Sequence, residues 1–252
     1  MTSSETSEQG CHLSVVSAAY NEVDNLPGLM KEIAGTFQDL GRPWEVILVN
    51  DGSSDRTAEV LRDLMATHPG LRIFNLDRRC GQTAALDAGL RQAKGQFIAT
   101  LDADLQNDPK DIPRLLDLLQ KENVDLVNGW RVDRRDPWLR LVSTRVANAV
   151  RNRLTHEDIH DSACGLKVFR RQCLSRIKLF TGLHRFLPTL FKMEGFRVLE
   201  VPVHHRPRHA GKAKYGVWNR LFKALRDTFA IRWMQSRTFH YRIEELRRPS
   251  KP

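Results

Sequence analysis

Hydrophobic and polar positions in the first half of the chain fall into alternating blocks that predict strands and helices. Short, nearly continuous apolar runs at residues 13–18, 44–49, 71–76, 97–101 and 125–128 predict strands. Such runs are typical of strands buried on both faces of a parallel sheet. The stretches between them place apolar residues three and four positions apart, as on one side of a helix. The order of these blocks is therefore strand, helix, strand, repeated several times.

The predicted helices carry start and stop signals. Asn25 and Pro27 open the first helix, as cap and first-turn residue, and Gly41 closes it. Ser54 or Asp55 caps the second helix. The apolar residues that share one side of this second helix are Val60, Leu61, Leu64 and Met65. Two further helices are predicted at residues 83–94 and 111–121.

The second half of the chain is less regular. An arginine-rich helix is predicted at residues 138–154, strands at 166–169 and 197–203, and a final helix at 217–237. The whole order predicts an α/β fold with a mainly parallel central sheet and helices on both faces. We expect residues 1–10 to be disordered, 11–216 to form one domain, and 217–252 to form a basic amphipathic helix and tail.

Composition limits the class of protein. The chain has 252 residues, of which 41% are hydrophobic, and this is enough to bury a core. The four cysteines are scattered, so we expect free thiols in a reducing compartment. No apolar run approaches the ~20 residues of a membrane span, and the polar N-terminus does not resemble a secretory signal. We therefore expect a cytoplasmic protein without a membrane span.

The net charge of +10 is unevenly distributed. Residues 1–130 contain 12 Lys and Arg against 20 Asp and Glu, whereas residues 131–252 contain 28 against 10. The first half is suited to holding cations, and the second half is suited to attracting anions. A phosphate group, another polyanion or an anionic membrane surface is the expected partner of the second half.

Polar clusters follow four of the predicted strands. In open parallel sheets, ligands bind at the carboxyl ends of the strands. We therefore expect these clusters to converge on one crevice. They are Tyr20-Asn21-Glu22, Asn50-Asp51-Gly52, Asp77-Arg78-Arg79 and Asp102-Ala103-Asp104.

The segment D-A-D-L-Q at residues 102–106 is a candidate metal site. Asp102, Asp104 and Gln106 occupy alternate positions after a buried strand, and this spacing predicts that they point the same way. Two carboxylates close together favour a cation between them, and oxygen ligands suit Mg²⁺ or Mn²⁺. In the alternative interpretation, the same acids cap the turn and the helix that follow.

Other binding motifs do not occur in the sequence. It contains neither the phosphate-loop pattern G-x-x-x-x-G-K-[ST] nor a G-x-G-x-x-G after the first strand. The spacing of His204, His205 and His209 is not that of a standard zinc site. We also find no recognisable RNA- or DNA-binding motif, so nucleic acid is not an expected partner.

Six motifs, in order, carry a resemblance to a known family. The chain resembles glycosyltransferase family 2 enzymes of the polyprenyl-phosphate type, including dolichol-phosphate mannosyltransferase-like enzymes, over about residues 13–240. The motifs are VVSAAYNE (15–22), VNDGSSDRT (49–57), GQTAALDAG (81–89), DADLQNDP (102–109), DSACGLKVFRR (161–171) and RPRHAGKAKYG (206–216).

The resemblance implies a GT-A fold and a metal-dependent, inverting reaction. A hexosyl unit would pass from GDP-mannose or a UDP-sugar to a polyprenyl monophosphate at a membrane surface. By position, Tyr20, Glu22 and Asp51 would bind the base and ribose. Asp102 would line the donor site, and Asp104 and Gln106 would bind the metal. The basic residues implied are Arg131 and Arg145 at the acceptor phosphate, and Arg208 and Lys214 over the phosphates.

The chemistry of this reaction agrees with the charge distribution. A phosphate monoester is already an anion at neutral pH, so a dedicated general base is unnecessary. Bringing two anions together requires cations, and the basic half supplies them. Three alternatives stay open: transfer to a hydroxyl acceptor, a non-catalytic basic module that binds polyanions, and a nucleotidyltransferase that releases pyrophosphate.

The final helix allows two interpretations. It combines a wide apolar stripe with Arg220, Lys223, Arg226 and Arg232. Such a helix either packs on its own domain or lies in a membrane interface. Because the implied acceptor resides in a bilayer, we expect peripheral association with the cytoplasmic membrane surface.

Overall fold

The computed structural model describes residues 10–132, 151–155, 157–207 and 217–239, with side chains from residue 225 onward in the last range. Seven strands are found within these ranges. They are β1 (Leu13–Ala19), β2 (Trp44–Asn50), β3 (Leu71–Asn75), β4 (Phe97–Thr100), β5 (Leu126–Arg131), β6 (Lys167–Arg170) and β7 (Val198–Val203).

Helices separate most of these strands. They are α1 (Leu26–Phe37), α2 (Thr57–Thr67), α3 (Gln82–Gln92), α4 (Asp111–Lys121), α5 (residues 151–155), α6 (Leu187–Met193) and α7 (Val217–Arg237). Two short 3-10 helices, Arg171–Ser175 and Leu183–Phe186, lie before α6. None of the described helices combines the length and the hydrophobicity of a membrane span.

The seven strands form one sheet in the order β3-β2-β1-β4-β6-β5-β7. β1 pairs in parallel with β2 and β4, β2 with β3, and β5 with β7. Only β6 among the described strands runs antiparallel to its neighbours, β4 and β5. The prediction of a mainly parallel central sheet is confirmed.

Strand register brings the carboxyl ends of the first strands to one edge. Ala19 pairs with Asn50, Asn50 pairs with Asn75, and Val16 pairs with Thr100. The segments that follow β1, β2, β3 and β4 therefore leave the sheet at the same edge, where the carboxyl ends of these strands lie. This alignment is the reason that the polar clusters of the sequence come together.

The sheet is covered on both faces, as the continuous apolar runs predict. Alternate residues of one strand, such as Val15 and Val16, belong to two separate hydrophobic clusters. One cluster includes apolar residues of α1, α2 and α4, and the other includes those of α3, α6 and α7. The β-strands thus separate two cores, and each core fixes a different set of helices.

Several local predictions are wrong. The start of α1 is as predicted, with Asn25 at the N-cap and Pro27 in the first turn, but the Asn25 side chain makes no cap hydrogen bond and α1 ends at Phe37 rather than at Gly41. Asn25 instead donates from Nδ2 to Oε2 of Glu22 at 2.6 Å. Met65 is 49% exposed although Leu61 is buried. The reason is that α2 lies near the edge strand β3, where little sheet is available to cover its last turn.

The second half adds elements that the sequence pattern did not indicate. The 3-10 helices and α6 between residues 171 and 193 were not predicted. Of the predicted helix at residues 138–154, only residues 151–154 lie in the described part of the chain, and they are helical. The final helix has the predicted bounds. The four cysteines are free, as expected.

Candidate active site

The loops after β1 and β2 are hydrogen-bonded to each other. The backbone N–H of Asn21 donates to Oγ of Ser53 at 3.0 Å, and the N–H of Ser54 donates to Oδ1 of Asn21 at 2.9 Å. The N–H of Glu22 donates to Oγ1 of Thr57 at 3.0 Å. These bonds hold the predicted nucleotide-binding residues of the first loop against the second loop.

Asp51 joins these two loops to the loop after β3. Its Oδ1 accepts the N–H of Cys80 at 2.7 Å, and its Oδ2 accepts the N–H of Gly81 at 3.0 Å. The Cζ of Arg79 lies 4.1 Å from the ring centroid of Tyr20. The structure therefore brings Tyr20, Glu22 and Asp51 into one cluster of loops. Asp51 is buried, and through its bonds to the backbone of Cys80 and Gly81 it anchors the loop after β3.

The segment D-A-D-L-Q is a turn and not a continuation of the strand. β4 ends at Thr100, and Leu105 has a φ of 59°. Ala103 is buried and Leu105 packs on the core, whereas Asp102, Asp104 and Gln106 are half-buried. The predicted alternation of side chains is thus retained, but it arises from a turn with one left-handed residue.

Asp102 lies between α3 and the segment that precedes β6. Gln82 donates from Nε2 to Oδ1 of Asp102 at 3.0 Å. A Cβ added at Gly165 would overlap the carboxylate of Asp102, so only glycine permits this close approach. Thr100 fixes the same segment by donating from Oγ1 to the carbonyl of Gly165 at 2.7 Å.

Charges of both signs act on Asp102. Burial raises the pKa of Asp102, the Asp104 carboxylate raises it further, and the positive charges of Arg131 and Lys167 lower it. Lys167 is buried, and its ammonium donates to the carbonyl of Cys164. Burial lowers the pKa of Lys167. Asp102 is therefore one of the residues through which the acidic first half and the basic second half of the chain interact.

Arg131 is held in place by Asp161. It is the last residue of β5, whereas the predicted strand ended at Asn128. Its Nε donates to Oδ2 of Asp161 at 2.7 Å and its Nη2 donates to Oδ1 at 2.9 Å. Glu200 of β7 fixes Asp161 in turn, since its Oε1 accepts the Asp161 N–H at 3.1 Å. Asp161 thus holds the arginine that is predicted at the acceptor phosphate, and Glu200 holds Asp161.

Gln106 adjoins the start of the predicted phosphate-binding loop. The N–H of Arg206 donates to the carbonyl of Gln106 at 2.8 Å. The guanidinium of Arg206 contacts Glu32 at 2.8 Å and Asp108 at 2.5 Å. The chain therefore enters the basic loop beside the D-A-D-L-Q turn. The predicted site residues Arg145, Arg208 and Lys214 lie outside the described residues.

The donor set of this turn fits a hard divalent cation. Asp102, Asp104 and Gln106 offer only oxygen ligands, and the charge of Asp104 already raises the pKa of Asp102. No group of three or more His, Cys, Asp and Glu that could hold a metal occurs among the described residues. Mg²⁺ and Mn²⁺ suit such a sparse set, because Mg²⁺ usually binds one or two carboxylates together with water and substrate phosphates.

Some residues of the site were not identified from the sequence. Asp161, Gly165 and Lys167 lie within the motif at residues 161–171, but nothing in their spacing assigned them to Asp102 or Arg131. Gln82 lies in the motif at residues 81–89 and contacts Asp102 only because α3 packs on β1, the strand that pairs with β4. The motifs identified the segments that form the site, whereas the contacts between these segments depend on the tertiary structure.

Comparison with known proteins gives a family match and several similar sequences. The sequence profile described as Glycosyl transferase family 2 matches residues 14–178. The dodecaprenyl-phosphate galacturonate synthase of Rhizobium johnstonii is 37% identical over 227 residues, covering 88% of this chain and 67% of that protein. The undecaprenyl-phosphate 4-deoxy-4-formamido-L-arabinose transferase of Edwardsiella ictaluri is 38% identical over 207 residues, covering 81% of this chain and 63% of that protein. The chain thus spans about two thirds of the length of these relatives.

Solved structures share the fold. A mannosyltransferase of Pyrobaculum calidifontis, in complex with GDP-Man and Mn²⁺, has a TM-score of 0.63 at 22% identity, covering 89% of this chain and 64% of that chain. Glucosyl-3-phosphoglycerate synthase of Mycobacterium tuberculosis, in complex with Mn²⁺, uridine diphosphate and glucosyl-3-phosphoglycerate, has a TM-score of 0.66 at 21% identity. The match covers 89% of this chain and 80% of that chain. The GT-A fold expected from the sequence is confirmed.

Proposed function

The chain belongs to glycosyltransferase family 2, and from this premise we propose that it transfers a hexosyl unit from a nucleotide diphosphate sugar to a polyprenyl monophosphate, with inversion. The donor is GDP-mannose or a UDP-sugar. The observation that carries the proposal is that the carboxylate of Asp102 interacts electrostatically both with the acidic Asp104 and with the basic Arg131 and Lys167. A reaction between two phosphorylated substrates needs both a cation-holding site and fixed positive charges.

Three joined loops form the nucleotide end of the proposed donor site. Tyr20 and Glu22 would contact the base and ribose, and Asp51 would complete this subsite from its buried position. Arg79 extends the site, because its guanidinium lies over the Tyr20 ring. Since these loops are bonded to each other, the subsite is largely formed before any nucleotide binds.

Asp102, Asp104 and Gln106 would hold a divalent cation next to the diphosphate. When bound, Mg²⁺ or Mn²⁺ supplies positive charge that stabilises the nucleoside diphosphate as it leaves. The chain's own contribution is to hold Asp102 in place through Gln82 and Gly165. The Mn²⁺ complexes of the two structural neighbours support the use of such an ion.

The phosphate of the acceptor would bind at Arg131. A phosphate monoester has a second pKa near 6, so it is already an anionic nucleophile at neutral pH. The protein then has to position it and offset its charge. Arg131 can do this because Asp161 fixes its guanidinium, and arginine is suited to bidentate phosphate binding. Arg145 would complete the acceptor site, and Arg208 and Lys214 would cover the phosphates.

The lipid nature of the acceptor is supported by the relatives and by α7. The names of the two curated relatives specify dodecaprenyl and undecaprenyl phosphates. One face of α7 packs on the domain through Ile231, which is fully buried. The other face exposes Phe229 (59%) and Trp233 (63%) beside exposed Arg226 and Arg232. We propose that this face binds an anionic, cytoplasmic membrane surface.

An extraction assay tests the function. The protein is incubated with Mn²⁺, a short polyprenyl phosphate and labelled UDP- or GDP-sugars, and label that enters the organic phase is measured. We expect organic-soluble product from one donor class. Transfer to a saccharide with no lipid product would instead identify a hydroxyl acceptor, and release of pyrophosphate would identify a nucleotidyltransferase.

Variants of single arginines sharpen this test. Arg131→Ala should raise the KM for polyprenyl phosphate at least tenfold and leave the affinity for the donor nearly unchanged. Arg91→Ala is the matched control, because Arg91 is an exposed residue of α3 paired with Asp87. Equal losses of donor and acceptor affinity in Arg131→Ala would place this arginine at the nucleotide instead.

A further inference from the structure

One short segment, residues 159–165, contacts both Asp102 and Arg131. At one end, Gly165 lies so close to Asp102 that an added Cβ would overlap the carboxylate. Nearer the other end, the carboxylate of Asp161 accepts two hydrogen bonds from the guanidinium of Arg131. The placement of this bridging segment therefore affects the proposed donor site and the proposed acceptor site together.

Arg151 of α5 holds the bridging segment on both sides of Asp161. Its Nη2 donates to the carbonyl of Ile159 at 2.5 Å, and its Nη1 donates to Oγ of Ser162 at 2.7 Å. Arg151 is 7% exposed and Ser162 is 3% exposed. Hydrogen bonds from a charged donor are stronger than neutral ones, and a buried group that loses its partner is costly. Arg151 is thus well suited to fix the backbone that carries Asp161.

The central sheet holds the same segment through Glu200 and Asn128. The two carboxylate oxygens of Glu200 accept the N–H of His160 at 2.7 Å and the N–H of Asp161 at 3.1 Å. Asn128 donates from Nδ2 to the carbonyl of Asp161 at 3.0 Å. Asn128 and Glu200 are paired residues of the neighbouring strands β5 and β7. The bridging segment is therefore held by the sheet and, through Arg151, by a helix.

The charge of Arg151 also acts on this region. Burial lowers the pKa of Arg151, whereas the carboxylates of Glu157, Asp161 and Glu200 raise it. Asp161 therefore interacts with the positive charge of Arg151 as well as with Arg131, its direct partner. A second positive charge favours the ionised form of Asp161, which is the form that pairs with Arg131.

The helix that carries Arg151 is anchored to the domain. Gln235 of α7 donates from Nε2 to the carbonyl of Thr155, the last described residue of α5, at 2.8 Å. Thr189 of α6 donates from Oγ1 to the carboxylate of Glu157 at 2.6 Å. Because α5 and the residue that follows it are tied to two other helices, Arg151 provides a fixed point for the bridging segment.

We propose that Arg151 is a positioning residue of the acceptor site. It holds the backbone on both sides of Asp161, so that Asp161 keeps the guanidinium of Arg131 where the acceptor phosphate binds. This inference rests on the proposed function, and it adds a residue that acts through Asp161 without touching a substrate. Since small displacements of site groups are costly, loosening this contact should weaken acceptor use selectively.

Substitution of Arg151 tests the proposal. Arg151→Met removes the N–H donors and keeps an apolar side chain of similar length. We expect the KM for a short polyprenyl phosphate to rise about five- to tenfold. The Kd of the sugar nucleotide with Mn²⁺, measured by calorimetry, should change less than twofold. Arg151→Lys keeps the charge and an N–H donor and should recover part of the loss, whereas Arg153→Met, at an exposed position of the same helix, should change neither value.

Two milder variants probe the two ends of the bridging segment. Ser162→Ala removes one acceptor of Arg151 and should raise the KM for polyprenyl phosphate about two- to threefold. Thr100→Val removes the hydrogen bond to the carbonyl of Gly165, so it should weaken binding of the sugar nucleotide with Mn²⁺ and leave the acceptor KM nearly unchanged. A purely structural role of these contacts would not divide the effects between the two substrates.

A double substitution tests whether Arg151 acts through Asp161. If it does, Arg151→Met combined with Asp161→Asn should raise the acceptor KM no more than Asp161→Asn alone does. Independent effects, which multiply in the double variant, would contradict the proposal.

Other outcomes also overturn the inference. Equal weakening of donor and acceptor binding by Arg151→Met, or lower thermal stability with unchanged KM values, would make Arg151 a residue of the fold only. If Arg151→Met does not fold, an unchanged acceptor KM in Ser162→Ala overturns the inference. Lipid product from the wild-type protein without a selective effect of the variants overturns only the role of Arg151. A wild-type protein that makes no lipid product overturns the proposed function and this role with it.

Discussion

The guanidinium of Arg131 contacts the carboxylate of Asp161 at two points, with Nε to Oδ2 at 2.7 Å and Nη2 to Oδ1 at 2.9 Å. The side chains are 16% and 6% exposed. A guanidinium has five N–H donors, so this ion pair leaves three for other partners. Arg131 can therefore be fixed by Asp161 and still bind an acceptor phosphate.

The first prediction concerns this ion pair. Asp161→Asn removes a largely buried negative charge and leaves Arg131 without its counter-ion. We expect the free energy of unfolding to fall by about 3 kcal/mol, and the KM for polyprenyl phosphate to rise more than the KM for the donor. Urea denaturation and steady-state kinetics measure the two effects.

A surface ion pair provides the matched control. Asp87→Asn breaks the exposed Arg91–Asp87 pair of α3 and should change the free energy of unfolding by less than about 0.5 kcal/mol. Equal effects of Asp161→Asn and Asp87→Asn on the free energy of unfolding would show that the Arg131–Asp161 pair stabilises the fold no more than a surface ion pair does.

The second prediction concerns the close contact between Gly165 and Asp102. Gly165→Ala places a methyl group where the Asp102 carboxylate lies, so this carboxylate has to move. We expect a loss of about 1–3 kcal/mol in stability and a fall in kcat of about 100-fold, since small displacements of site groups are costly. Thermal unfolding and turnover measure these losses.

Gly35→Ala is the control for Gly165→Ala. Gly35 is exposed within α1, and an added Cβ meets no atom within 4 Å. This substitution should increase stability by about 0.5–1 kcal/mol, because alanine favours a helix more than glycine does. Unchanged activity in Gly165→Ala would contradict the assignment of Asp102 to the site.

The third prediction links Asp104 to metal binding and to pH. Asp104→Asn should leave the chain folded but reduce metal-dependent turnover by about 100-fold or more. Mn²⁺ should raise the Tm of the wild-type protein and leave that of the variant unchanged. Full activity in the variant would remove Asp104 from the metal site.

The same variant has a predictable pH dependence without metal. Burial and the Asp104 carboxylate raise the pKa of Asp102 in the folded protein, so ionised Asp102 lowers stability as the pH rises through that pKa. Removing the Asp104 charge weakens this penalty. Metal-free Asp104→Asn should therefore have a higher Tm than the wild-type protein at pH 7, with a smaller difference below about pH 4, the ordinary aspartate pKa.

The fourth prediction concerns the two faces of α7. The double substitution Phe229→Ser and Trp233→Ser changes exposed residues and should preserve the fold. It should reduce sedimentation with phosphatidylserine vesicles at least tenfold, because the apolar contact with the bilayer is lost. Undiminished sedimentation would exclude this face of α7 as the membrane contact.

Ile231→Ala tests the opposite face of α7. Ile231 is fully buried in the core that contains α3 and α6. We expect a loss of about 2–4 kcal/mol in unfolding free energy with no effect on vesicle binding below the Tm. The pair of variants thus separates packing on the domain from binding to the membrane.

Much of the fold follows from local pattern. The apolar runs predicted all seven strands. The signal is strongest for β1, β2 and β4, because a strand covered on both faces requires apolar residues at successive positions. The residues selected after the strands, such as Tyr20 and Asp51, came together because register aligns the strand ends. Predictions failed where tertiary context prevailed, as at Met65 beside an edge strand, and Asn25 occupies the predicted cap position but its side chain bonds Glu22.

The sequence by itself determined the order of strands and helices, the segments that carry polar groups, the uneven charge and the resemblance to a family. These properties are local, or they are sums over the chain. Only the tertiary structure decided that Gln82 and Gly165 enclose Asp102, that Asp161 holds Arg131, and that Glu200 holds Asp161. Each of these contacts joins residues far apart in the chain, and the packing of helices on a sheet sets their distances.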